Sequence, residues 1–142
     1  MSYALGAGIL AEEKILPKEQ QFTVKTIPVE RFPNEPRYGG IVEGPGTEKE
    51  IPIGTVCDFV RIDPDQWQDK IFVGEYYHIC RKFGDHYENR LLKLGLEGSN
   101  LVLLGESNDN SINKPIPLDS DVELVGVLVN EIKQRFGNRF SQ

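Results

Sequence analysis

The chain has 142 residues, 39% of them hydrophobic, and a formal net charge of −6. That is enough for one domain with a core and too little for two. An acidic chain offers no broad basic face to release counterions from nucleic acid, so no direct nucleic-acid contact is expected.

No apolar run approaches the roughly 18 residues that cross a bilayer, and the first residues lack the basic start and apolar core of a signal peptide. The expectation is a cytoplasmic protein without membrane contact. In chain order, "LGAGILAEE" (5 to 13) and "PKEQQ" (17 to 21) read as an N-terminal arm, residues 1–21. A β domain over 22–134 and a mildly basic tail over 135–142 follow it. Within the domain the apolar stretches are short and bounded by Pro and Gly, and none keeps a 3.6-residue period, so the fold class is mainly β.

The predicted strands are 22–29, 55–63, 70–82, 87–95, 100–106 and 122–134, several of them alternating as half-buried strands do. In the third, Phe72, Tyr76, His78 and Cys80 share one face while Val73, Glu75, Tyr77 and Ile79 share the other. "FGDH" (83 to 86) supplies a tight hairpin turn. Cys57 and Cys80 read as reduced core residues. His78 and His86 flank a polar turn and read as solvated side chains, so no metal is expected, and no cofactor fingerprint is present. Trp67 lies in a loop, as a partly buried staple or as an anchor for a partner.

With the strands placed, residues 39 to 134 resemble the C-terminal domain of LexA, UmuD and phage repressors, peptidase family S24, a relative of signal peptidases. "VEGPGTEKEIPIGTVCDFVRIDP" (42 to 64) is similar to the family's V-x-G-[DN]-S-M, short spacer, I-x-x-G-[DT] and apolar strand ending in D-P. "NRLLKLGLEGSNLVLLGESND" (89 to 109) resembles its T-x-K-R-L strand, turn and L-x-P-x-N segment. "KPIPLDSDVELVGVLVNEIK" (114 to 133) resembles its closing strand. The resemblance implies a strongly bent β-sheet assembly with an N-terminal arm. It also implies a serine nucleophile activated by a neutral lysine, cleavage at an Ala-Gly or Cys-Gly bond, and twofold pairing through the closing strand.

The chain departs from that pattern where the chemistry would be. Aligning Val42 and Gly44 on V-x-G puts Gly46 at the serine position, and glycine has nothing with which to attack a carbonyl. The lysine position falls on Lys93, with Leu91, Leu92 and Leu94 as an apolar setting and Lys82 as a second candidate; Thr47 is the hydroxyl nearest Gly46 in sequence. The Gly46 to Lys93 separation exceeds the family's usual spacing, and the hairpin around 74–88 takes up the excess. Ala7-Gly8 resembles the cleavage bond, though Gly6 and Gly8 also read as a flexible terminus.

Three function readings follow. The first is a catalytically inactive module acting through protein association, as a homodimer or with a regulatory partner, in a stress-response or phage-repression setting. The second is an active self-cleaving peptidase whose nucleophile lies elsewhere. The third is an unrelated β-rich structural protein such as a virion component. For pairing, Leu124, Val125, Val127 and Val129 are the expected contact residues. Val122, Leu124, Gly126 and Leu128 would face one way and Val125, Val127, Val129 and Ile132 the other, so both faces of the strand need cover. The competing expectation is a central strand covered by the N-terminal arm.

Overall fold

The computed structural model describes residues 2–6, 10–11, 35–65, 70–119 and 121–132. The predicted strand at 22–29, the Ala7-Gly8 bond, Trp67 and the tail lie outside them. The strands are β1 (Ser2–Leu5), β2 (Leu10–Ala11), β3 (Arg37–Val42), β4 (Val56–Arg61), β5 (Tyr76–Phe83), β6 (His86–Glu97), β7 (Asn100–Leu104), β8 (Ile116–Pro117) and β9 (Val122–Ile132). They form one sheet in the order β1-β3-β4-β9-β5-β6-β7-β8, with β2 added to β6. Every pairing is antiparallel except β1 with β3. No α-helix occurs among the described residues, the 3-10 turn Asn110–Asn113 being short, and no helix among them is long and apolar enough to cross a membrane. The fold is mainly β, as the turn-bounded apolar stretches imply.

Two hairpins take their register from glycine. In β5–β6, Phe83 pairs with His86 around Gly84 at φ +57°; in β6–β7, Glu97 pairs with Asn100 around Gly98 at φ +65°. A positive φ at the first central residue of a two-residue loop is the requirement of a type II′ turn. The predicted strand 70–82 begins late, at Tyr76. Before it, the Tyr77 hydroxyl accepts from Phe72 N at 2.7 Å and donates to the Lys70 carbonyl at 2.8 Å, tying the backbone into a loop.

β9 bends the sheet. Its partner on β4 jumps from Asn130 to Leu128 between Asp58 and Phe59, and its partner on β5 jumps from Gly126 to Leu124 between His78 and Ile79. Val129 and Val125 are the residues passed over, and each such bulge turns the strand and sharpens its twist. Two cores result. One gathers Val60, Ile62, Tyr77, Ile79, Leu92, Leu94, Leu103, Val122, Leu124 and Val127. The other gathers Tyr3, Leu5, Tyr38, Val42, Ile51, Cys57, Phe59, Leu91 and Leu128, with Val125 packed against it. Leu124 and Val127 therefore share a face although three residues apart, and the strict alternation expected for this strand fails at the Val125 bulge.

The N-terminal residues belong to the sheet. Tyr3 and Leu5 sit in the second core, and the Leu5 side chain fits beside β3 because Gly40 has none: a Cβ there would come 3.0 Å from both Leu5 Cδ1 and Phe59 Cε2. In the same core His78 is wholly buried, not solvated as expected. Its Nε2 meets Asn89 Oδ1 at 2.7 Å and its Nδ1 meets the Tyr38 hydroxyl at 2.7 Å. An amide oxygen only accepts, so Nε2 carries the proton and Tyr38 donates to Nδ1. Tyr3, Tyr38 and Phe59 crowd the imidazole, with ring centroids 4.3, 5.6 and 5.6 Å away. Nearby, Arg37 grips the fully buried Asp58 through both carboxylate oxygens. Cys57 and Cys80 are free and buried, and burial pushes the Cys57 thiol up to about 12.

Tyr38 lies over Gly126 so closely that a Cβ there would be 2.2 Å from its hydroxyl and 2.7 Å from Cε1. Gly126→Ala must displace the ring and break the bond to His78. The expected loss is about 1–3 kcal/mol, read from the urea midpoint. A pH effect arises from the same cluster. Burial holds His78 down to about 4, against a bond to Asn89 that acts the other way. The unfolded imidazole takes its proton near pH 6.5. Below that value the unfolded state binds a proton the native state refuses, so stability is whole above about pH 6.5 and falls as pH drops towards 4. The full His78 contribution is about 3 kcal/mol. Urea midpoints across this window check the trend, and imidazole 15N shifts should show His78 still neutral in the native protein at about pH 5.5, where a free imidazole is already largely protonated.

Candidate functional site

The loop between β3 and β4, residues 43–55, carries the position that the sequence resemblance assigns to a nucleophile. It is anchored at both ends: Val42 N donates to Thr55 O at 3.0 Å, and Gly54 N donates to Val42 O. Within it, Glu50 N and Ile51 N both donate to Thr47 O, at 3.0 and 2.8 Å, and Ile51 plugs into the second core. The loop is strapped to the segment after β7. Glu106 N donates to Gly46 O at 2.8 Å and Lys49 N donates to Glu106 O at 3.0 Å.

Glu48 completes the strap. Its carboxylate accepts from Gly46 N at 3.0 Å and from Ser107 Oγ at 2.6 Å. Burial works against the charged carboxylate, but these hydrogen bonds outweigh it and hold Glu48 below its usual pKa. Ser107 is fully buried, and its backbone is held in turn by Asn113, whose Oδ1 accepts from Ser107 N at 2.7 Å and whose Nδ2 donates to Ser107 O at 2.9 Å.

Gly46 is closed on its side-chain side. A Cβ there would lie 3.1 Å from the Leu91 carbonyl oxygen. Lys93 is two residues further along β6, on the same face as Leu91. Its Nζ stands 5.9 Å from the Tyr76 ring centroid, and the Tyr76 hydroxyl donates to Glu106, whose N–H is bound to Gly46. Gly46 and Lys93 thus flank one small polar cluster made by Tyr76 and Glu106. Burial, the Glu106 bond and the Glu106 charge all raise the Tyr76 hydroxyl, which keeps its proton. The apolar setting expected for Lys93 is thinner than the sequence implies. Leu92 and Leu94 point into the first core, on the opposite face, and only Leu91 shares its side.

The remaining candidates are dispersed. Thr47 is 1% exposed, and its Oγ1 finds no hydrogen-bond partner among the described residues. Lys82 is exposed on β5, with Nζ 6.0 Å over the Tyr87 ring. Ala7 and Gly8 are outside the described residues, but Gly6 beside them is pinned. Its N–H donates to Asn89 O at 2.8 Å, and the preceding Leu5 carbonyl accepts from Glu43 N and Gly44 N. Of the residues proposed for pairing, Leu124 and Val127 are buried in the chain's own core, whereas Val125 and Val129 are half-buried. Among the described residues no group of three or more His, Cys, Asp or Glu could hold a metal ion.

The sequence reading missed Glu48, Tyr76 and Glu106 as members of the site. Glu48 is two residues from Gly46, and its spacing to that N–H was a visible signal. Tyr76 and Glu106 reach the site only through tertiary pairing. No protein-family model matches the chain, and none of the curated proteins matches it.

Proposed function

We propose that this chain is a catalytically silent module of the S24/LexA-like kind, working in the cytoplasm by protein association in a stress-response or phage-repression setting. The reading is carried by the state of Gly46. A serine peptidase needs a hydroxyl at this point and free backbone donors for the oxyanion that forms beside it. Gly46 has no side chain, and its N–H is already bound to the Glu48 carboxylate. A fixed negative charge there opposes an oxyanion instead of stabilising it. Thr47 is no substitute, because its hydroxyl is buried away from any peptide.

The sequence motifs support the kinship, and so does the layout: a bent β assembly, Gly46 packed on the strand that carries Lys93, and an N-terminal segment docked on Gly44. What such a module retains is the capacity to hold protein, either a second copy of itself or a regulatory partner.

The purified protein should stay intact through prolonged incubation at alkaline pH, which favours a neutral lysine. A fragment beginning at Gly8, seen by mass spectrometry, would refute the silent reading. In Gly46→Ser, slow release of that fragment would mark a lapsed peptidase with Lys93 as its base; an intact variant removes Lys93 from that role and leaves the silent reading in place. For association, sedimentation at micromolar concentration should show a dimer. The informative variant is Val129→Asp, since Val127 is wholly buried and its replacement by Asp would unfold the chain. Conversion to a folded monomer supports pairing through β9, whereas a wild-type monomer throughout would end the homodimer proposal.

A further inference from the structure

Against a net charge of −6, one concavity is lined by cations. It has a volume of about 390 Å³ and lies between the β5–β6 hairpin and the segment joining the 3-10 turn to β8. Arg81, Arg90 and Lys114 line it together with Ile112, Pro115 and Ile116. The register explains the convergence. Ile79 pairs with Arg90 and Arg81 with Glu88, so the two arginines are diagonal neighbours on one face of the hairpin.

Arg90 is under-supplied with acceptors. It is 6% exposed, yet its Nη2 reaches the Ile112 carbonyl only at 3.4 Å and its Nη1 stands 3.9 Å from Glu88 Oε1. Its Nε has no hydrogen-bond partner among the described residues. Arg81 stacks on the Phe83 ring at 4.9 Å and makes no ion pair among the described residues; nor does Lys114. The charge of Arg81 is felt at Arg90. Burial, foremost, lowers the Arg90 guanidinium pKa; the Glu88 charge opposes it, and the like charge of Arg81 adds a smaller push downward. Of the carboxylates nearby, Asp109 is engaged in capping Ser111. A nearly buried guanidinium with one unsatisfied nitrogen and only long contacts at the others, beside a second arginine that makes no ion pair among the described residues, is a costly arrangement unless an anion completes it.

We propose that this pocket binds a phosphate monoester, the phosphoryl group between Arg81 and Arg90 and within reach of Lys114, and the organic part against Ile112, Pro115 and Ile116. Phosphate suits the site better than carboxylate because three cations line it. A tetrahedral group offers each its own oxygen, while a planar carboxylate has two. The apolar wall beside the cations gives an organic ester an advantage over the bare ion.

The test is titration of the full chain with phenyl phosphate, followed through the arginine Nε–Hε NMR signals, with inorganic phosphate and sulfate run at matched ionic strength. Phenyl phosphate should saturate in the millimolar range or below and bind more tightly than inorganic phosphate. Arg81→Gln should weaken it at least about tenfold, the loss of one charge-assisted contact. The urea midpoint should stay unchanged, since Arg81 is not a core residue. Lys114→Gln, at an exposed position, serves if Arg81→Gln does not fold. Non-saturating shifts, equal affinity in these variants, or sulfate matching phenyl phosphate would each overturn the proposal. A phosphoserine peptide is the last arm. Tighter binding of the peptide than of phenyl phosphate assigns the site to a phosphorylated chain and weaker binding assigns it to a free small ester, and either outcome upholds the phosphate site.

Discussion

A β-strand that kept strict alternation through the middle of this sheet would send every second side chain to one core and could not shift its allegiance along its length. β9 shifts, because Val125 and Val129 have no counterparts on the strands beside them. The bulge at Val125 puts Leu124 and Val127 into one core while Gly126 turns its bare backbone to the other, where Tyr38 occupies the space. From that placement follow the Tyr38–His78–Asn89 chain of hydrogen bonds and the aromatic rings packed round it. Gly126 is therefore a packing residue in the strict sense: it is needed for the volume it leaves open.

The candidate site hangs from this frame at one remove. β6 carries Leu91 and Lys93, β5 carries Tyr76, and the loop between β3 and β4 is pressed on them by Glu48 and by the Glu106 backbone. The loop is held firmly, Gly46 carries no side chain, and its N–H is committed to the Glu48 carboxylate. A loop whose polar groups are already satisfied need not reorganise to meet a partner, which is what the proposed recognition role requires.

Much of this was legible in the chain. Short apolar runs between glycines and prolines gave the β class, and the strands at 87–95, 100–106 and 122–134 stand close to where alternation placed them. The hairpin at "FGDH" was readable because a two-residue loop with glycine leaves few geometries. β3 was not readable, since Gly39 and Gly40 remove the side chains on which alternation depends, and the value of Gly40 lies in admitting the Leu5 side chain. His78 reads as solvated in the sequence because its hydrogen-bond partners Tyr38 and Asn89, 40 and 11 residues away, are invisible locally. The burial of Val127 was misassigned to a second chain because a bulge leaves no mark in a run of valines and leucines. Lys70–Glu75 looked like strand until the Tyr77 hydroxyl was seen to claim its backbone.

The position of β9 in the sheet has a consequence for how the chain is made. It is the last strand in sequence among the described residues, yet it lies between β4 and β5. Until Val122–Ile132 emerges from the ribosome, β4 and β5 each present an unpaired edge to the gap that β9 will fill. Neither core can close, since both draw side chains from that strand. The nascent chain must carry two sticky edges from the emergence of β5 until that of β9, and then close the sheet by inserting β9 through long-range pairing, which is slow. Its exposure to wrong partners is greatest just before β9 emerges, so its yield in a cell depends on whatever shields those two edges until that strand arrives.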